Sequence, residues 1–311
     1  MSQLAAFPVS RIRLVARATG SIRLPDHAGS QLRGAFGAAY RQLACLTRQK
    51  TCADCPIGAT CRYLRVFETA APPTGHALQR FSQIPHPYVI EPPPWGARIV
   101  QAGETFDFHM VLVGQARPLL PLILAAWQRA LQHGLGKSAG TAELIEAHDE
   151  DNDRPIYTGE GSRTQTLEGK THIPPAQSKV TLEIVTPLRL QNNGRPLGPD
   201  TLTPRPLLTA LVRRLALLAE FHTDTRWEPD FPTLAREAGE VTGEARLHWR
   251  DWTRYSSRQQ QEMSLGGVVG TWRLDRLSPA LWPALWLGQW LHAGKNATFG
   301  LGRYRLTWPA E

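Results

Sequence analysis

Residues 11–18 read Arg-Ile-Arg-Leu-Val-Ala-Arg-Ala, the two-residue period of a strand with arginines on one face. After a turn, Leu32, Phe36, Ala39, Tyr40 and Leu43 fall on one side of a helix expected over Ser30–Leu43. Gly34 and Gly37 lie close together along it and weaken it. Their use is close approach, by a ligand or backbone or by a tightly packed crossing. Alternation returns at Thr105–Val113, and Pro118–Gln132 reads as an apolar helix begun by proline and stopped by Gly134. A strand follows at Ala142–Glu146, whereas the Pro-rich stretch 72–94 shows no period.

Residues 148–176 are polar and turn-rich, and place a domain boundary between 1–165 and 166–311. Beyond it the order recurs. Strands are expected at Lys179–Leu188, Ala245–Tyr255 and Gly270–Leu274, helices at Pro206–Phe221 and Leu281–Leu291, and a last strand ending at Trp308. Strand, helix, two strands, helix, strand is the ferredoxin-like order. The expected class is α+β, two tandem ferredoxin-like (RRM-like) domains, with a cysteine-rich insertion at Cys45–Cys61 in the first.

At 311 residues the chain is long enough for two cores. A formal charge of +8 favours a polyanionic or acidic partner without distinguishing RNA from DNA or a membrane surface. No run of 18 apolar residues suggests a spanning helix, and the N-terminus lacks a signal-peptide pattern, so the expected location is cytoplasmic.

Two basic glycine loops stand out, His133–Thr141 and the longer His292–Tyr304. Each follows an apolar helix and precedes a strand. Their glycines open backbone donors to phosphate, and Lys137, Lys295, Arg303 and Arg305 supply charge. Gly134-Leu135-Gly136-Lys137-Ser138 lacks the spacing of a nucleotide phosphate loop and stands before a strand, which argues against ATP hydrolysis. Trp249–Gln259 interleaves aromatics with Arg250, Arg254 and Arg258, giving stacking surfaces and phosphate forks; the alternative places Trp249 and Trp252 in the core.

The cysteines are spaced Cys45-x6-Cys52-x2-Cys55-x5-Cys61. Four thiolates can complete a tetrahedral structural zinc shell; an iron–sulfur cluster and buried free thiols are the other readings. His27, before the first helix, and His292, before the terminal loop, have the intrinsic pKa of a general acid or base. No serine triad or dense carboxylate group suggests other hydrolytic chemistry.

Leu24–Gly37 with its following cysteine loop, Arg254–Gln259, Leu265–Gly270 and His292–Tyr304 occur in an order similar to that of the CRISPR repeat-RNA processing endoribonucleases of the repeat-associated mysterious protein superfamily. The resemblance spans most of the chain. It implies binding of CRISPR repeat RNA in the precursor crRNA and metal-independent attack of a 2′-OH on the adjacent phosphate. It further implies His27 as acid or base, with His292 competing, Lys295 as phosphate clamp and Tyr255 positioning the 2′-OH. Arg33, Lys137, Arg254, Arg258, Lys295 and Arg303 would bind RNA. No cofactor is expected for catalysis, and other CRISPR effector subunits are candidate partners. The alternatives are a non-catalytic RNA-binding subunit of an effector complex and an unrelated metal-stabilised nucleic-acid adaptor.

Overall fold

The computed structural model describes residues 4–69, 84–136, 139–159, 161, 163–256 and 261–308, with residues 254–256 and 261–264 described as backbone only. Contacts divide the chain into one unit of Pro8–Thr171 with Phe221–Asp224, and a second of Met1–Phe7, His172–Glu220 and Thr225–Glu311.

In the first unit, strand Val9–Ala18 is central. It pairs antiparallel with Thr105–Val113 on one side and Ala142–Asp149 on the other. Leu14 lies opposite Phe108 and Ala147 in these two registers. Tyr88–Glu91 and Arg154–Tyr157 complete a five-stranded sheet in the order 88–91, 105–113, 9–18, 142–149, 154–157. The alternation of the sequence is physically real. Ile12, Leu14 and Ala16 are buried and the intervening residues partly open, so one sheet face carries the core.

Helix α1, Gly29–Ala44, and helix Leu120–His133 cover that core. Phe36 of α1 stacks on Trp127 at 4.9 Å, and Trp127 meets Phe108 of the sheet at 4.6 Å, which ties both helices to the strands. Gly37 serves packing. A Cβ there would strike the ring of Phe67, from the short helix Arg62–Phe67. Gly34 faces open space.

The second unit repeats the order. Lys179–Leu188 lies between Gly267–Asp275 and Tyr304–Thr307, and Thr242–Arg250 forms the far edge, all antiparallel. The sheet order is 242–250, 267–275, 179–188, 304–307. Helices Pro204–His222 and Trp282–Leu291 belong to the same sequence of elements. Gly288 leaves room for the Tyr304 hydroxyl, which donates to the Leu285 carbonyl at 2.6 Å. Two units of mixed helices and antiparallel strands are consistent with ferredoxin-like topology.

Three differences from the sequence reading have local causes. Tyr88–Glu91 is a strand inside the stretch without period, because all four residues are buried and a strand covered on both faces loses its alternation. Phe231–Glu240 is a helix that the pattern did not signal; Asp230 caps it by accepting from the Thr233 amide at 3.2 Å. The strand expected over Ala245–Tyr255 is two strands. Thr242–Arg250 joins the sheet, and Thr253–Ser256 pairs separately with Gln261–Ser264. Among the described residues, no helix is long and apolar enough to cross a membrane.

Candidate RNA-processing site

His27 sits on the turn that leads into α1, two residues before Gly29, and is 2% exposed. The Trp95 ring stacks on its imidazole, with centroids 5.3 Å apart and planes inclined by 29°. The neighbouring residue fixes this arrangement. Asp26 accepts the Gly96 amide on its carbonyl at 2.9 Å and the Ala97 amide on its carboxylate at 3.0 Å. A loop from a part of the chain without visible period is thereby fastened to the histidine turn.

The mid-chain glycine loop lies against the same helix start. A Cβ on Gly136 would stand 2.5 Å from Nε2 of Gln31, in the first turn of α1. The loop closes on itself through the Leu135 amide and the Gly140 carbonyl at 2.8 Å. Gly134 and Gly136, with φ of 98° and 70°, occupy the left-handed region that favours glycine. Lys137 lies outside the described residues. The Leu32 amide donates to the Ala28 carbonyl at 2.9 Å, whereas the Gly29, Ser30 and Gln31 amides before it have no intrahelical acceptor and Ala28 provides no side-chain cap, so this end suits a negative group.

Arg33 is partly committed to the fold. Its guanidinium lies 4.6 Å from the Phe67 ring centre and donates from Nε to the Tyr88 hydroxyl at 3.1 Å. Burial pushes the Tyr88 phenol up to about 12, despite the opposing charge of Arg33.

In the second unit the terminal glycine loop is sewn to the end of strand Lys179–Leu188. The Thr186 hydroxyl donates to Gly300 at 2.8 Å and accepts from the Arg303 amide at 2.9 Å. Gly302 donates to Pro187, and Lys295 to Arg189. The Lys295 side chain is exposed and that of Arg303 is partly so. Gly294 approaches the Arg189 carbonyl so closely that a Cβ would stand 2.5 Å from it. Arg189 also donates from its side chain to Gly266 at 2.8 Å, and its guanidinium lies 5.9 Å from the Trp249 ring centre. Arg189 therefore joins two glycine segments distant in sequence, a role no local pattern announced.

His292 is placed differently from His27. It is 0% exposed at the end of helix Trp282–Leu291, and its Nδ1 lies 3.1 Å from the Leu301 carbonyl. Its backbone amide donates to Gly288, and its φ of 58° turns the chain into the loop. Arg254 and Tyr255 are described as backbone only, on strand Thr253–Ser256, and Arg258 lies outside the described residues.

The four cysteines are free thiols, with Cys61 buried and the others intermediate. The Thr47 hydroxyl lies 3.9 Å from Cys45 Sγ and 3.5 Å from Cys55 Sγ. Burial pushes the Cys45 thiol up, but hydrogen bonds from Arg48 and Thr47 and the Arg41 charge outweigh it and hold the thiol below its ordinary range. At Cys52, burial and the Glu68 carboxylate raise the thiol instead. Among the described residues, no group of three or more His, Cys, Asp or Glu side chains is arranged to hold a metal. The geometry therefore gives no support to the four-thiol shell considered for zinc or an iron–sulfur cluster, and no chemical step below runs through it.

Two family models match this chain, one over each half. Residues 182–304 match the family described as CRISPR-associated endoribonuclease Cas6, and residues 7–169 match a family described as an N-terminal domain. No curated protein matches by sequence. Among solved structures, a Cas6 product complex is similar at 16% identity and TM-score 0.60, covering 96% of this chain and 100% of that chain. Thermus thermophilus Cas6 gives 14% and 0.53, covering 97% and 99%. A partial Cas6-RT-Cas1–Cas2 complex gives 14% and 0.57, covering 98% of this chain and 47% of that one. At these identities the structural likeness speaks for the fold. Over residues 182–304 the chain carries the sequence pattern of the CRISPR-associated endoribonuclease Cas6 family, and over most of its length the likeness is one of fold.

Proposed function

We propose that this chain is an endoribonuclease that cleaves CRISPR precursor RNA within its repeats to make guide RNAs, with His27 as its general acid or base. The observation that carries the assignment is the setting of His27. It stands at the start of α1, its ring is held by Trp95, and a basic glycine loop packs against the same helix turn. The match of residues 182–304 to the Cas6 endoribonuclease family supports the substrate class. Two tandem ferredoxin-like domains, 1–165 and 166–311, belong to this reading and are supported by the recurrent element order and matching sheet orders. A cytoplasmic location belongs to it too.

The chemistry is a transesterification. The ribose 2′-oxygen attacks the adjacent phosphorus and loses its proton to a base, the bond to the 5′-oxygen breaks, and that oxygen takes a proton from an acid. A 2′,3′-cyclic phosphate and a 5′-hydroxyl result, with no metal-activated water required. His27 fills one proton-transfer role, its intrinsic pKa suiting either. Lys295 and Arg303 bind RNA phosphate from the second unit, where the loop that carries them is fixed by Thr186 and Arg189. Arg33, Lys137, Arg254 and Arg258 are further RNA contacts in this reading, and Tyr255 positions the 2′-OH. Because His292 is fully buried against Leu301, we assign it to holding the loop rather than to proton transfer.

His27→Ala should lower single-turnover cleavage at least about 100-fold while sparing RNA binding; a near-normal rate would overturn the assignment. An RNA with one 2′-deoxy residue before the scissile bond should bind and stay intact. The deep burial of His27 favours one alternative, a non-catalytic RNA-binding subunit of an effector complex. Cleavage of a cognate repeat in EDTA separates the two.

A further inference from the structure

The reading of His27 as acid or base leaves open what orients a ring attached to a turn rather than a helix. We infer that Trp95 is the positioning residue for His27, and that the Asp26 clamp on loop 94–97 is what holds Trp95 there. The inference rests on the proposed function and extends it to a residue in a stretch without visible periodicity.

Three observations combine. The rings are stacked at 5.3 Å and 29°, so the indole plane constrains rotation of the imidazole about its second side-chain torsion, a torsion that sterics alone leave broad. Asp26, the residue before His27, holds the tryptophan loop by two hydrogen bonds, one to its carbonyl and one to its carboxylate. Displacement of the loop therefore displaces the histidine turn with it. Finally, His27 is 2% exposed, whereas the Trp95 ring stacked on it is only partly buried. Gly96, at φ 130° with open space where a Cβ would stand, supplies the backbone turn beside the indole. Proton transfer in a phosphoryl transition state is steep in geometry, and a displacement of about 1 Å can cost up to about 100-fold. A ring-on-ring contact fixed through the adjacent residue is a direct means of meeting that demand.

The test compares Trp95→Phe, which keeps a ring, with Trp95→Leu, which keeps apolar volume and loses it. Single-turnover cleavage at saturating protein, RNA affinity and the imidazole proton shifts of His27 by NMR are measured on the full chain. Trp95→Leu should slow cleavage about tenfold or more with affinity changed less than about twofold, and should move the His27 ring protons out of their ring-current-shifted positions. Trp95→Phe should stay within about threefold and keep an upfield shift. Equal rates for the Leu variant and the parent, alongside an inactive His27→Ala, would overturn the positioning role and leave the histidine assignment standing. An active His27→Ala would overturn the assignment itself. If both Trp95 variants lose activity and native chemical shifts together, the residue is structural and the inference fails.

Discussion

Replacing His292 by alanine removes a fully buried imidazole and its contact with the Leu301 carbonyl at 3.1 Å. A buried carbonyl deprived of a partner costs about 1–3 kcal/mol, and the space left by the ring adds to that, giving about 2–4 kcal/mol in all. The backbone sharpens the prediction. His292 has φ 58° and ψ 163°, a conformation costing a residue with a Cβ about 1–3 kcal/mol and glycine little. Parent and alanine variant both carry that strain; His292→Gly sheds it and loses the same ring. Glycine should therefore be the milder substitution by about 1 kcal/mol, after its greater freedom in the unfolded chain is counted. Urea denaturation followed by circular dichroism reads the order, and single-turnover cleavage below each transition reads chemistry. The expected outcome is parent most stable, glycine next and alanine last, with cleavage by the folded variants within about tenfold of the parent. An alanine variant as stable as the parent but slowed more than about 100-fold would refute the structural assignment and make His292 the acid or base.

Gly302→Ala places a Cβ against the Ala293 carbonyl at a φ of 70°, and should weaken both the second unit and RNA binding, read by denaturation and by filter binding. Gly37→Ala drives a methyl into the Phe67 ring and should destabilise the first unit by about 1–3 kcal/mol in the same denaturation assay. At Glu150, burial raises the carboxyl, but the His109 hydrogen bond and the Arg11 charge outweigh it and hold the group below its ordinary range. A depressed folded-state value stabilises above the unfolded pKa and is lost as pH falls through the carboxylate range, so stability should decline on acidification, and less steeply in Glu150→Gln. Identical acid profiles would refute that linkage. Brief EDTA treatment should leave cleavage unchanged; loss restored by added zinc would mean that the cysteine loop assembles a metal shell.

The residue pattern placed most elements near their observed positions. The central strands showed their period of two, and the principal helices their apolar faces and glycine or proline ends. Where the pattern failed, burial or spacing explains it. Tyr88–Glu91 is buried on both faces and so carries no alternation. The helix at Phe231–Glu240 depended on an Asp230 cap that can be read only once the helix is known.

The sequence by itself determined which segments can be strands and helices, where basic charge and glycine coincide, and which histidines have the intrinsic chemistry for proton transfer. Those are properties of neighbours along the chain. Tertiary structure sets the surroundings of His27 and His292 apart, because those surroundings are built from atoms far away in sequence. Trp95 stacks on one ring, while Leu301 and the end of a helix hold the other. The same holds for Arg189, whose carbonyl and guanidinium meet glycine segments 77 and more residues beyond it. Contact across such separations is fixed by sheet register and core packing, which bring together residues whose local spacing carries no trace of the meeting.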